Sequence, residues 1–210
     1  MIWDNNNDIR VEHCDENRRD IQRVLDACRN ERRPYVVIKN DELRMMNNPS
    51  KSVKDSSNIL IQDSKLTSIL VPITMLEEEV YKAEICTYLA RKTGAHLVLL
   101  RANDYGNKAK QNTQRIISHI QTISERTGTL ISYEERIAQG DSFHIHKELP
   151  TLSSTMQGKY GEETLILLTA SREYGLDDWL FGPPEQYVIR KSSAPVMLVN
   201  PRADLFSLCD

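Results

Sequence analysis

Short apolar runs alternate with amphipathic stretches over most of the chain. Residues 67–74 (TSILVPIT), 95–100 (AHLVLL), 129–133 (TLISY), 164–170 (TLILLTA) and 194–200 (APVMLVN) are each too short for a buried helix. Runs of this length that are apolar on both faces read as strands covered on both sides, as in a parallel sheet. Between them the period changes to that of a helix. Leu76, Val80, Ala83, Thr87 and Ala90 share one face, and Gly94 stops that helix as a C-cap. Ile116, Ile117, Ile120 and Ile123 mark a second helix, ending near Gly128. The turn at Gly140, Asp141 and Ser142 opens a third from about Phe143, which Pro150 must interrupt or kink. A short helix precedes the last run. The order β-α-β-α-β-α-β-α-β predicts an α/β fold over residues 67–201: an open, five-stranded, mostly parallel sheet with helices on both faces.

The first 62 residues carry a weaker version of the pattern. Residues 9–13 (IRVEH) alternate like a strand, Ile21, Val24, Leu25 and Cys28 mark a helix, and residues 34–39 (PYVVIK) form a strand. A helix-like segment over 45–57, broken by Pro49, leads to another strand at 58–62 (NILIQ). Residues 35–38 align with 165–168, and residues 53–61 with 188–199, so the stretch reads as an internal half-repeat of the later unit. The expected organisation is a partial unit over 1–62, a linker at 63–66, a complete domain over 67–201 and a tail at 202–210. A half-unit lacks a central strand and cannot bury both faces alone. It is expected to dock on the full domain or on a partner chain.

Composition narrows the function classes. The net charge of −3 offers no basic surface for nucleic acid. No stretch reaches the roughly 18 apolar residues of a membrane span. The start of the chain (MIWDNNND) is polar and does not read as a signal peptide. The four cysteines (Cys14, Cys28, Cys86, Cys209) are scattered, with no CxxC pair, which fits a reducing cytoplasm rather than a disulfide framework or a zinc site.

Four segments together carry a family resemblance: SILVPI at 68–73, Gly140-Asp141, the loop GLDDWLFG at 175–182, and VIRKSSAPVMLV at 188–199. In combination they resemble the universal stress protein family over residues 67–201. The resemblance implies that family's adenine nucleotide alpha hydrolase-like fold, in which the first and fourth strands are adjacent. Ligands bind at such a switch point, beyond the carboxyl ends of the strands. ATP-binding members carry G-x2-G-x9-G-[S/T] after the fourth strand and an Asp at the end of the first. Here Gly182 matches one motif glycine, while the other two positions hold Thr169 and Arg172. The hydroxyl position holds Pro183, and the strand-end Asp position holds Thr74. Ala170 lies beside Thr169 at the strand end, and Gly175 matches a frequent extra loop glycine. Thr169 crowds the phosphate path, and Pro183 supplies neither hydroxyl nor N–H. The resemblance therefore implies the branch that does not bind ATP, and no cofactor is expected. A nucleotide held through Arg172 is the alternative.

No residue pattern nominates a nucleophile, a general base or a metal site, so catalysis is not expected. His144 and His146 are two apart and read as surface helix residues. Glu77, Glu78 and Glu79 read as carboxylates complementing a helix N-terminus. The loop holding Tyr174 and Trp179 is expected to fold back on the sheet, with a lid or a partner contact as the alternative. The expected function is that of a cytoplasmic, non-catalytic stress-response protein acting through protein association. The alternatives are a nucleotide-binding regulator and a soluble module of a cation transporter. The apolar strand at 194–200 is an edge that needs cover. It would pair across a homodimer, as in family members, or within the chain against 58–62 as an internal pseudo-dimer.

Overall fold

The computed structural model describes residues 10–14, 18–30, 35–39, 66–160, 163–170 and 183–199. The elements in chain order are β1 (Arg10–Cys14), α1 (Arg18–Asn30), β2 (Tyr35–Lys39), β3 (Leu66–Ile73), α2 (Lys82–Thr93), β4 (His96–Arg101), α3 (Lys108–Thr127), β5 (Tyr133–Ile137), α4 (Leu149–Tyr160), β6 (Glu163–Thr169), α5 (Pro184–Lys191) and β7 (Val196–Val199). Turns of 3-10 helix, Glu77–Tyr81 and Ile145–Lys147, precede α2 and α4.

One sheet holds all the described strands, in the order β1-β2-β7-β6-β3-β4-β5. The five strands from β7 to β5 are mutually parallel, as the alternating pattern predicts. The chain runs outward from β3 through β4 to β5, then returns to the far side of β3 for β6 and β7. Reversing direction while keeping right-handed crossovers puts the helices on opposite faces. Ala83, Ile85, Cys86 and Leu89 of α2 pack with Ile116 and Ile120 of α3 against Ile69, Val71, Leu97 and Leu99. On the other face Leu149 and Met156 of α4 and Val188 and Ile189 of α5 pack against Leu70, Val98, Ile166 and Leu198. Residues 68–73 are buried on both faces, which is why β3 reads as a continuous apolar run.

Helix ends follow local chemistry. Gly94 closes α2 at φ 75° and Gly128 closes α3 at φ 64°, both in the left-handed region. Three local expectations are corrected. The third strand is not the apolar run at 129–133 but Tyr133–Ile137 (YEERI). Ile131 of the earlier run is buried in the connection instead. Among the described strands β5 lies at an edge with one neighbour, β4, so it needs no two-faced apolar pattern. Its charges pair locally, Arg101 Nε with Glu135 at 2.8 Å and Arg136 with Glu134. The third helix begins at Leu149, not near Phe143. Pro150 therefore falls in its first turn, where its missing N–H breaks no helical bond. Leu76 does not join the helix face; it is 53% exposed, in the loop before the 3-10 turn.

The N-terminal strand, helix and strand appear as β1, α1 and β2. Helix α1 packs on the sheet with Ile21, Val24 and Leu25, on the same face as α4 and α5. β2 runs antiparallel along β7, with Tyr35 opposite Leu198, Val36 opposite Met197 and Val37 opposite Val196. β1 lies parallel to β2 on its outer side. The cover expected for 194–200 from residues 58–62 is thus replaced by 35–39, because an edge accepts one strand and β2 occupies it. Residues 45–62 lie outside the described residues.

Candidate functional site

The topological switch falls between β3 and β6. The two strands pair from Leu66 to Leu70, ending at Leu70 opposite Ile166, while β3 continues along β4 as far as Ile73 opposite Arg101. The carboxyl ends of β3 and β6 therefore border the place where a crevice opens at a topological switch point. Ile73 O accepts the Ala102 N–H at 2.9 Å across the β4 side. Backbone polar groups alternate sides along a strand, so those of Pro72 point into the crevice. Pro72 has no N–H to leave unpaired there. Its carbonyl oxygen accepts from Lys82 Nζ at 2.5 Å.

Lys82 is 1% exposed and ion-paired with Glu79, itself 4% exposed. Glu79 Oε1 in turn accepts from Thr74 Oγ1 at 2.9 Å. The residue expected at the nucleotide-contacting end of β3 is therefore engaged with a carboxylate of its own chain. Asn112 of α3, also buried, donates to the carbonyls of Thr74 and Leu76 at 2.9 and 2.7 Å. Lys82 is thus tied to the end of β3 through Pro72, and Asn112 to the loop that leaves it.

Ser142 joins this loop to the next two. Met75 N donates to Ser142 Oγ at 2.8 Å, and Ser142 donates from N and Oγ to the Asp104 carboxylate at 2.9 and 2.5 Å. The loops after β3, β4 and β5 thus form one hydrogen-bonded unit. The residue following each member is a large exposed side chain: Leu76, Tyr105 and Phe143. Asp141 accepts from the backbone of Phe143 and His144 and, at 2.7 Å, from His144 Nδ1. These contacts, the His144 side chain first, hold its carboxyl below the usual range.

On the β6 side, Thr169 Oγ1 is buried without a hydrogen-bond partner among the described residues, and Ala170 N donates to Val199 O at 2.9 Å. Pro183 is the N-cap of α5, extended at φ −67°, with Pro184 as the first helical residue. Two consecutive prolines remove two amide donors from this helix start. The amides of Gln186 and Tyr187 both donate to Pro183 O. Glu185, in the same first turn, is 3% exposed. Its carboxylate complements the positive end of the helix dipole, the place an anion would otherwise take. Arg172, Gly175 and Gly182 lie outside the described residues, as does the loop with Tyr174 and Trp179.

Of the expected site residues, Thr74 follows β3, Thr169 closes β6 with Ala170 next to it, and Pro183 caps α5. Sequence reading missed Lys82, Glu79 and Glu185. Glu79 and Lys82 were visible as opposite charges three apart on the stripe that continues to Cys86 and Leu89, a spacing that brings side chains together. The Cys86 thiol is fully buried and pushed up to about 12 by desolvation, so it is neutral and unreactive. Among the described residues, no group of three His, Cys, Asp or Glu side chains is placed to hold a metal ion. No described helix is long and apolar enough to cross a membrane.

No protein-family profile matches the chain, and no curated protein matches it. Solved structures do. A universal stress protein from Archaeoglobus fulgidus DSM 4304 superposes with a TM-score of 0.57 at 13% identity, covering 94% of this chain and 62% of that one. This chain thus spans under two thirds of that protein. A universal stress protein solved in complex with cAMP gives 0.49 at 16% identity, covering 66% of this chain and all of that one. A member of the family from Burkholderia pseudomallei gives 0.40 at 14% identity, covering 65% of this chain and 97% of that one. At these identities the likeness is one of fold.

Proposed function

We propose, taking the fold shared with universal stress proteins as the premise, that this chain is a universal-stress-type protein that catalyses no reaction and acts by protein association rather than by binding ATP. One observation carries the reading: on the β3 side the switch point is taken up by the chain's own charges. Lys82 and Glu79 take up Pro72 O and Thr74 Oγ1, and the start of α5 presents two prolines and a buried carboxylate. A triphosphate at that helix start would meet Glu185 in place of amide donors. Like charges brought together out of water repel strongly.

Association is supported by the other feature of the same end of the sheet. Leu76, Tyr105 and Phe143 are exposed side chains on loops that Ser142 and Asp104 hold together. Large side chains on a pre-ordered frame lose little entropy on binding a partner. A reducing, cytoplasmic setting accords with the buried neutral Cys86. Isothermal titration of the purified chain with ATP, ADP, AMP and cAMP tests the reading. The expected result is no binding heat; micromolar affinity for ATP overturns it.

A further inference from the structure

The backbone of β5 shows which of its groups face away from the sheet. Leu97 N donates to Ser132 O at 2.9 Å, and Ala138 N donates to Arg101 O at 2.8 Å. Backbone polar groups alternate sides along a strand, so those of Glu134 and Arg136 also turn toward β4. Those of Tyr133, Glu135 and Ile137 turn outward, where no described strand meets them. An outward row of this kind is a template for another strand, and charged side chains commonly guard it.

Here the charges stand in an order that complements itself. Tyr133–Ile137 (YEERI) can meet a second copy antiparallel about a two-fold axis at Glu135. Tyr133 then faces the partner's Ile137, and Glu134 faces the partner's Arg136. The three outward residues become the hydrogen-bonded pairs, about 5.5 Å apart at Cα, and positions 134 and 136 become the closer pairs, at about 4.5 Å. Opposite charges thus take the close positions. Glu134 and Arg136 also pair within the chain, so two copies make a ring of four alternating charges. The like-charged pair, Glu135 with the partner's Glu135, falls at the wider spacing, and each of these carboxylates holds Arg101 of its own chain at 2.8 Å. Ile137, 59% exposed, gains the partner's Tyr133 beside it. The neighbouring registers fail, because an axis at Glu134 or at Arg136 sets two like charges at the close position.

We propose that β5 is a self-association edge whose partner is a second copy of this chain, paired antiparallel over Tyr133–Ile137. It lies at the opposite side of the sheet from β7, which β2 occupies. The pairing does not depend on what the switch point binds. A five-residue strand from each copy buries less than the roughly 1,200 Å² of a stable complex, so the dimer is expected to be weak and reversible.

The test uses the full chain. Sedimentation from low micromolar to near-millimolar concentration is expected to show a monomer–dimer equilibrium. Glu134→Arg and Arg136→Glu each set like charges opposite one another, and each is expected to weaken the dimer about tenfold. An equimolar mixture of the two variants restores opposite charges across the axis but not within either chain. It is expected to recover the natural constant as a heterodimer. In the natural protein, exchange of the Tyr133, Glu135 and Ile137 amides should slow as concentration rises, while that of Glu134 and Arg136 should not change. A chain that stays monomeric throughout overturns the proposal, as do single variants that associate like the natural protein, a mixture that stays monomeric, or Glu135 exchange that ignores concentration. If a variant does not fold, sedimentation and amide exchange of the natural protein decide it.

Discussion

Lys82 reaches back from the first turn of α2 to Pro72 in the strand before it, and its ammonium donates to the Pro72 carbonyl, beyond Leu70 where the β3–β6 register ends. The pair with Glu79 is almost wholly out of water, the side chains being 2% and 5% exposed. Lys82→Met leaves Glu79 as a buried charge without its counter-ion. Such a loss costs about 3–5 kcal/mol, whereas replacing both charges by neutral groups is close to neutral. Urea unfolding of Lys82→Met, Glu79→Gln and the double variant is expected to show both singles destabilised and the double recovering most of the loss.

Ser142 holds two loops at once, accepting from Met75 N and donating to Asp104. Ser142→Ala leaves the partly buried Met75 amide without its acceptor and Asp104 Oδ2 without its hydroxyl donor, while the Ser142 N–H still reaches Oδ1, at a cost of about 1–3 kcal/mol. The loss is expected to be local. Amide exchange of Met75 should quicken markedly, while that of Leu70 and Leu99 in the sheet should change only as far as global stability falls.

Gly94 ends α2 at φ 75° with open space where a side chain would project. Gly94→Ala therefore meets no clash and loses only the conformational ease of glycine, about 1 kcal/mol. Gly94→Asn, whose side chain tolerates this region, is expected to lose less. Denaturant midpoints of the two variants check the order.

His146 is partly buried against the edge of Tyr187, and desolvation, then the charge of Lys147, lowers its pKa from 6.5. His119, partly buried on α3, is lowered for the same first reason. A base whose pKa is lower in the folded state binds fewer protons than in the unfolded one. Its stabilising contribution is present above pH 6.5 and is lost as pH falls through the folded value. Asp141 repeats the pattern lower down, below its usual 3.8. Glu84 acts in the opposite sense: burial raises its pKa above 4.5, and its contribution fades as pH rises. Stability should decline on acidification from pH 7 to pH 5, and His146→Asn should flatten that decline. Urea midpoints measured at intervals of pH report both.

The parallel core was legible because burial on both faces leaves a simple mark: unbroken apolar runs at 67–74, 95–100 and 164–170 separated by helical periods. β5 was misplaced for the complementary reason. An edge strand bonded on one side and faced by charges carries residues such as Glu134 and Arg136, and the apolar neighbours at 129–131 drew the assignment away. At the candidate site, the absence of the family's phosphate residues was readable one position at a time. What fills the space was not, because Lys82, Glu79 and Glu185 act there through long side chains brought from helices, and their individual positions look like ordinary helix-end charges. The antiparallel seam at β2 was anticipated as a seam but assigned to the wrong strand. Short apolar strands resemble one another, and only the register decides which of them meets Met197.

The place of β2 in the sheet has a consequence for how the molecule must form. Ser68 and Thr164, joined through their hydroxyls at 2.7 Å, are 96 positions apart, and Val36 and Met197 lie further apart still. Contacts of such separation form slowly, since a long loop must close before they return any energy. On the ribosome, β1, α1 and β2 emerge before β3, yet the strand they close on, β7, follows every other described strand. β2 must wait, with its inner edge unpaired, until residues 196–199 have been made. That interval, rather than the finished fold, is when this protein is most open to aggregation and most in need of a chaperone.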